Sequence, residues 1–151
     1  MARWTSWLPI EDAASRDGPF GGMFGLYQIR AVSRTGAPIP IQRFAGSDSH
    51  GVIYIGRSGY FNRSENRTIA NRIGEFIRQG HSGGKTYARA DLVLRRIRRF
   101  SQHVLEVRGM ILPDDEISAG EAKELRRYFN AYAELPPCNS NSSAECWKEQ
   151  D

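Results

Sequence analysis

The sequence predicts an α+β fold in which a small, mainly antiparallel sheet of three strands is flanked by helices. Residues 23–32, 52–57 and 103–110 are short apolar runs that read as strands, the first two built around Tyr27 and Tyr54. Residues 67–79, 89–100 and 113–132 carry apolar side chains at helical spacing. The order is strand, strand, helix, helix, strand, helix, without internal repeat or interdomain linker.

Residues 1–22 read as an irregular lead-in. Trp4, Trp7 and Leu8 are placed to pack back on the core, and Asp17-Gly18-Pro19 breaks structure. After the first strand, Ser33 to Pro38 is a turn, residues 39–44 could extend the sheet, and 46–51 turn again into the second strand. In the first helix Ile69, Ile73, Phe76 and Ile77 form an apolar face, and Gly80 is its expected terminator. His81-Ser82-Gly83-Gly84 reads as a loop. The next helix spans 89–100 with Val93, Ile97 and Phe100 inside. After the third strand, Pro113-Asp114-Asp115 opens the last helix and Pro136-Pro137 stops it. The polar tail, 140–151, is expected to be flexible, which leaves 23–139 as the folded domain.

A chain of 151 residues is long enough to bury one real core. With 40% hydrophobic and 25% charged residues, it has an ordinary globular composition. The net charge of +4 and pI near 9.3 suit a nucleic-acid partner without specifying one. No apolar stretch is long enough to span a membrane, and the first residues lack the apolar run of a signal peptide, so a cytoplasmic location is expected. Cys138 and Cys146 make neither a disulfide framework nor a zinc site.

Several residues have both a bland and a chemical reading. Tyr27 and Tyr54 are either core aromatics or two phenols that converge on a phosphate and a water. A phenol titrates near pH 10, so a tyrosine base would need a cation beside it. Arg57 ends the second strand, where it could clamp a phosphate. Arg72 lies at the edge of its helix's apolar face, either snorkelling or aiming its planar fork at a phosphate. Glu121 shares a helical stripe with Leu125, Tyr128 and Tyr132, where a carboxylate is costly unless paired, capped or metal-bound. Ser118-Ala119-Gly120-Glu121 fits a capping box; the rival is a ligand for Mg²⁺ or Mn²⁺ in a mostly hydrated shell. Glu124 is the competing glutamate. Asn139 after Pro136-Pro137-Cys138 reads as a helix-ending turn. Arg95, Arg96, Arg98 and Arg99 form a basic face around Ile97, either solvated or a phosphate track.

With these residues in place, the chain resembles the GIY-YIG nuclease superfamily over residues 23–139. Gly25-Leu26-Tyr27 and Tyr54-Ile55-Gly56 match its two tripeptides. Ile69-Ala70-Asn71-Arg72 matches its arginine helix, and 121–139 its glutamate helix with a Pro-x-x-Asn ending. The resemblance implies a GIY-YIG-like sheet and metal-dependent hydrolysis of DNA, with RNA open on the same residues. It implies Tyr27, Tyr54, Arg57, Arg72, Glu121 and Asn139 as the active site: Glu121 holds Mg²⁺ or Mn²⁺, and Asn139 braces the site from behind. Arg95, Arg96, Arg98, Arg99 and His81 are the expected nucleic-acid contacts. The stretch between the two tyrosines is longer than the family's hairpin. Phe76 stands where the family often carries Tyr or His, and His81 is the candidate to take its place in space. A nuclease domain this small would draw specificity from a protein partner, a homodimer or DNA shape. The competing expectations are a nucleic-acid-binding module that has lost catalysis, favoured by Phe76, and a protein-interaction domain with both tyrosines in the core.

Overall fold

The computed structural model describes residues 2–59 and 67–139. Its elements are β1 (Leu8–Pro9), α1 (Ile10–Ala14), β2 (Gly25–Val32), β3 (Ile41–Arg43), β4 (Gly46–Asp48), β5 (Val52–Arg57), α2 (Ile69–Ile77), α3 (Ser82–Leu94), a 3₁₀ turn (Arg98–Phe100), β6 (Val104–Ile111) and α4 (Asp114–Tyr132). The fold is α+β with a mainly antiparallel sheet flanked by helices.

The main sheet has four strands, ordered β1-β6-β2-β5, rather than the expected three. The extra strand comes from the lead-in, which is not irregular throughout. Leu8 pairs with Val107 and Pro9 with Glu106. The two tryptophans explain why this segment is ordered. The Arg108 guanidinium lies 4.8 Å from each ring of Trp4 and Trp7, and Arg30 lies 4.2 Å over Trp7. Such contacts each contribute about 0.5–1 kcal/mol.

β2 is central, paired with β5 on one side and β6 on the other. One sheet face carries Tyr27, Ile29 and Val107 and is covered by Ile69, Ile73 and Phe76 of α2 and by Ile10 and Ala13 of α1. The other face carries Val52 and Ile55 against Leu125 and Tyr128 of α4. Residues 39–44 do not extend this sheet. β3 pairs with β4 in a separate hairpin. Asp48 fixes that hairpin: buried, it accepts hydrogen bonds from the backbone N–H groups of His50 and Val52 and from the Tyr128 hydroxyl.

α2 begins where Thr68 accepts a hydrogen bond from the Asn71 N–H, a standard N-cap. Ile69, Ile73 and Phe76 are buried as expected, but Ile77 is exposed. The helix ends in a Schellman motif: Gly80 N–H bonds to the Glu75 carbonyl and Gln79 N–H to that of Phe76. The left-handed residue is Gln79, φ 60°, one position before the glycine that the sequence nominated.

Residues 81–84 are not a loop. His81 caps α3, whose first turn contains Gly83 and Gly84. Both are packing glycines. A Cβ on Gly83 would lie 2.5 Å from the Tyr54 ring, and one on Gly84 would lie 2.4 Å from the Phe76 carbonyl oxygen. α3 then stops at Leu94, six residues short of the expected end, leaving Val93 and Ile97 exposed. Of the three expected inward residues only Phe100 is buried, carried there by the 3₁₀ turn.

Candidate active site

The site is assembled at the sheet end where β5 finishes and β2 begins. Tyr27 is fully buried on β2 and faces Gly56 on β5 and Gly109 on β6. These glycines make room. A Cβ on Gly56 would lie 2.6 Å from the Tyr27 hydroxyl, and one on Gly109 would lie 2.5 Å from the Phe20 ring. Tyr54 sits diagonally across the strand pair, its ring centroid 5.9 Å from that of Tyr27. On its far side Tyr54 meets Phe76 at 5.5 Å and the His81 ring, stacked at 5.6 Å. The His81 ring thus lies beside Tyr54, while Phe76 packs between Tyr54 and Tyr87 with no polar atom to offer.

Three polar atoms in this region are buried without a hydrogen-bond partner: the Tyr27 hydroxyl, Arg72 Nε and His81 Nε2. Tyr54 lies close enough to act electrostatically on the Tyr27 phenol but makes no properly formed bond to it. His81 Nδ1 accepts a long 3.4 Å bond from Gly84 N–H. Native proteins rarely leave buried polar groups unpaired, and exceptions call for a functional explanation.

Arg57 comes from the end of β5 and Glu121 from α4. Arg57 Nη1 donates to Ser118 Oγ at 2.8 Å, and its Nε lies 3.7 Å from Glu121 Oε1. This disposes of the capping box. α4 starts at Asp114, Pro113 is its N-cap, and Ser118 lies inside the helix with its hydroxyl turned to Arg57. Glu121 is left largely buried with one long ion pair among the described residues. Glu124 turns elsewhere, 3.6 Å from Arg127, into a 260 Å³ cleft shared with Arg108 and His50.

The electrostatics tie these groups together. Burial raises the Glu121 carboxyl above its ordinary range, while Arg57 and Arg72 oppose the rise. Burial also pushes the Tyr27 phenol well above 10, Tyr54 and Glu121 add to the rise, and Arg72 opposes it. Tyr54 is raised by the same burial, again against Arg72. Tyr27 is therefore a neutral hydroxyl at neutral pH: Arg72 is the cation that a tyrosine base requires, but desolvation outweighs it. Burial, followed by the charge of Arg72, lowers His81, so its imidazole is neutral as well.

Asn139 closes the β5 edge. Its Oδ1 accepts from Ile55 N–H at 3.0 Å and its Nδ2 donates to the Ile55 carbonyl at 2.9 Å. Cys138 N–H bonds to the Ile53 carbonyl beside it. A side-chain amide here imitates one residue of a neighbouring strand, which is more than a helix-ending turn. The expected tail, 140–151, lies outside the described residues.

The four arginines do not form one helical face. α3 ends before them. Arg95 is bound to Asp91 at 3.0 Å and to the His103 carbonyl at 2.9 Å, and Arg99 lies over the Phe100 ring. Arg96 and Arg98 are exposed. The length of α3 separates this cluster from His81, about 20 Å at 1.5 Å per residue.

Two residues were missed in the sequence. Glu75 Oε2 lies 2.5 Å from Arg72 Nη1, an i,i+3 pair that helical spacing could have disclosed. The role of Ser118 left no sequence signal, because it depends on how α4 crosses β5.

The described residues hold no cluster of three or more His, Cys, Asp or Glu that could form a full protein cage for a metal. One part-buried carboxylate, Glu121, held by a long ion pair to Arg57, still fits Mg²⁺, which keeps its waters and binds through one or two carboxylates plus substrate phosphate. The chain matches no family model, no curated protein and no solved structure.

Proposed function

We propose that this chain is a metal-dependent endonuclease of GIY-YIG type that hydrolyses DNA phosphodiester bonds. The observation that supports it best is the sheet-end cluster: Tyr27, Tyr54 and Glu121 all feel the charge of Arg72, Arg57 reaches Glu121, and the Tyr27 hydroxyl and Arg72 Nε are unsatisfied.

Glu121 would hold one Mg²⁺ or Mn²⁺, which supplies Lewis-acid polarisation of the phosphoryl group and stabilises the leaving oxygen. Arg72 and Arg57 stabilise the negative charge that develops on the phosphorus oxygens. The neutral Tyr27 hydroxyl would donate to a phosphate oxygen, or orient the attacking water and relay its proton. Tyr54 positions that water or phosphate, held by the rings of Phe76 and His81. Asn139 keeps β5, and with it Tyr54 and Arg57, in place.

Nicking of supercoiled plasmid in Mg²⁺ or Mn²⁺ tests the reading, against EDTA and Glu121→Ala. Metal-dependent nicking lost in the variant is expected. Nicking that survives Glu121→Ala sinks the assignment. Phe76 favours a second reading, a nucleic-acid-binding module of the same fold that has lost catalysis. Under it, DNA binds in a salt-dependent way and no metal produces cleavage.

A further inference from the structure

Arg72 is held by one nitrogen only. Nη1 is fixed by Glu75 at 2.5 Å, whereas Nε is buried without a partner and Nη2 makes no hydrogen bond among the described residues. Nε and Nη2 form the side-on edge of the guanidinium, the edge that binds two oxygens of one phosphate in parallel. Arg30 uses the same edge on Glu106, through Nε at 3.0 Å and Nη2 at 2.7 Å. In Arg72 that edge is unfilled, with Nε itself buried rather than open to solvent. The charge of Arg72 acts on Tyr27, Tyr54 and Glu121, so the edge belongs to the sheet-end cluster.

We infer that Glu75 is a positioning residue: it grips Arg72 by Nη1 and so turns the Nε and Nη2 edge to two non-bridging oxygens of a single phosphodiester. The inference rests on the endonuclease reading for its substrate, but the anion site itself does not depend on cleavage. The pair is part-buried, and as an i,i+3 pair on one helix it contributes only a small stabilisation, so stability alone gives Glu75 little to do. Freed from Glu75, the long Arg72 side chain would sample other rotamers, and an error of about 1 Å in such a group costs about 100-fold in rate.

Three variants test it: Glu75→Ala, Glu75→Gln, which keeps an acceptor for Nη1, and Arg72→Lys, which has no side-on edge. Two readouts are combined, plasmid nicking kinetics in Mn²⁺ and the ¹⁵N-resolved Arg72 Nε–H resonance titrated with inorganic phosphate. Glu75→Ala should lower kcat about 10- to 100-fold with little change in KM and shift Tm by less than about 3 °C. Glu75→Gln should recover most of the rate. Phosphate should move the Arg72 Nε–H signal in the wild type and in Glu75→Gln, but much less in Glu75→Ala. Wild-type or faster nicking by Glu75→Ala overturns the inference, leaves the endonuclease reading intact, and makes Glu75 a competitor of phosphate. A wild type that never nicks yet shows the Glu75-dependent phosphate shift overturns the endonuclease reading and keeps the anion site. If neither signal appears, both fail.

Discussion

Tyr27 can sit where it does because Gly56 faces it without a side chain, and its hydroxyl is left with nothing to bond. An unsatisfied buried hydroxyl gives the fold nothing and costs desolvation. Tyr27→Phe should therefore leave Tm unchanged or raise it, while nicking falls about 100-fold. A fall in Tm with normal nicking would make this phenol a core residue after all. Glu121 carries a similar conflict. Burial raises its folded pKa above the unfolded value, so the folded chain holds that proton more tightly. Well below the unfolded pKa both states are protonated and Glu121 costs nothing. As pH rises through the folded pKa, the buried carboxylate ionises and stability is lost. Without divalent ions, Glu121→Gln should match the wild type near pH 3 and exceed it at pH 7, as read by denaturant midpoints, while losing metal-dependent cleavage. Equal midpoints at pH 7 would mean that Arg57 and Arg72 fully offset the burial. Sequence spacing placed both residues on the correct elements. It did not reveal that Tyr27 would be so deeply desolvated, because burial depends on how α2 and Phe20 cover the sheet.

At the scale of elements, the long periodic ones were legible. The span 113–132 differs by one residue from α4, and 52–57 coincides with β5. Three of the failures share one cause: glycine and proline read as local punctuation where tertiary packing decides. Gly83 and Gly84 looked like a loop but open α3, because Tyr54 and Phe76 press where their β-carbons would be. Pro9, in a lead-in expected to be irregular, pairs with Glu106. Gly80 was the obvious helix terminator, yet Gln79 takes the left-handed turn. A non-glycine residue there costs about 1–2 kcal/mol, so Gln79→Gly should stabilise the chain by up to about 1 kcal/mol. An unchanged or lower denaturant midpoint would refute this. Asn139 acts on β5 as a whole. Asn139→Ala strips Ile55 of two hydrogen bonds and should cost about 1–3 kcal/mol, with faster hydrogen exchange at the Ile55 amide. Unaltered exchange at Ile55 would show that the edge is closed by something else.

On the scale of the whole molecule, Arg95, Arg96, Arg98 and Arg99 do not share one helical stripe. Arg95 is engaged with Asp91 and the His103 carbonyl, so it contributes to the packing of α3 before it contributes to any ligand. Arg96 and Arg98 are exposed. If both meet DNA phosphates, replacing them with Ala should flatten the slope of log K against log[salt] by about 1.8. An unchanged slope would remove this cluster from the DNA footprint and leave binding to the sheet end. No helix among the described residues is long and apolar enough to cross a membrane. The pairing of Asn139 with Ile55 also bears on how copies of this chain can meet. A free sheet edge invites a strand from another molecule. On β5 the edge beside Tyr54 is already taken by Cys138 and Asn139, which occupy the N–H and C=O groups an incoming strand would need. Two copies cannot join there into a continuous sheet. A strand from another copy therefore finds no free partner along this stretch of β5, which limits self-association through that edge.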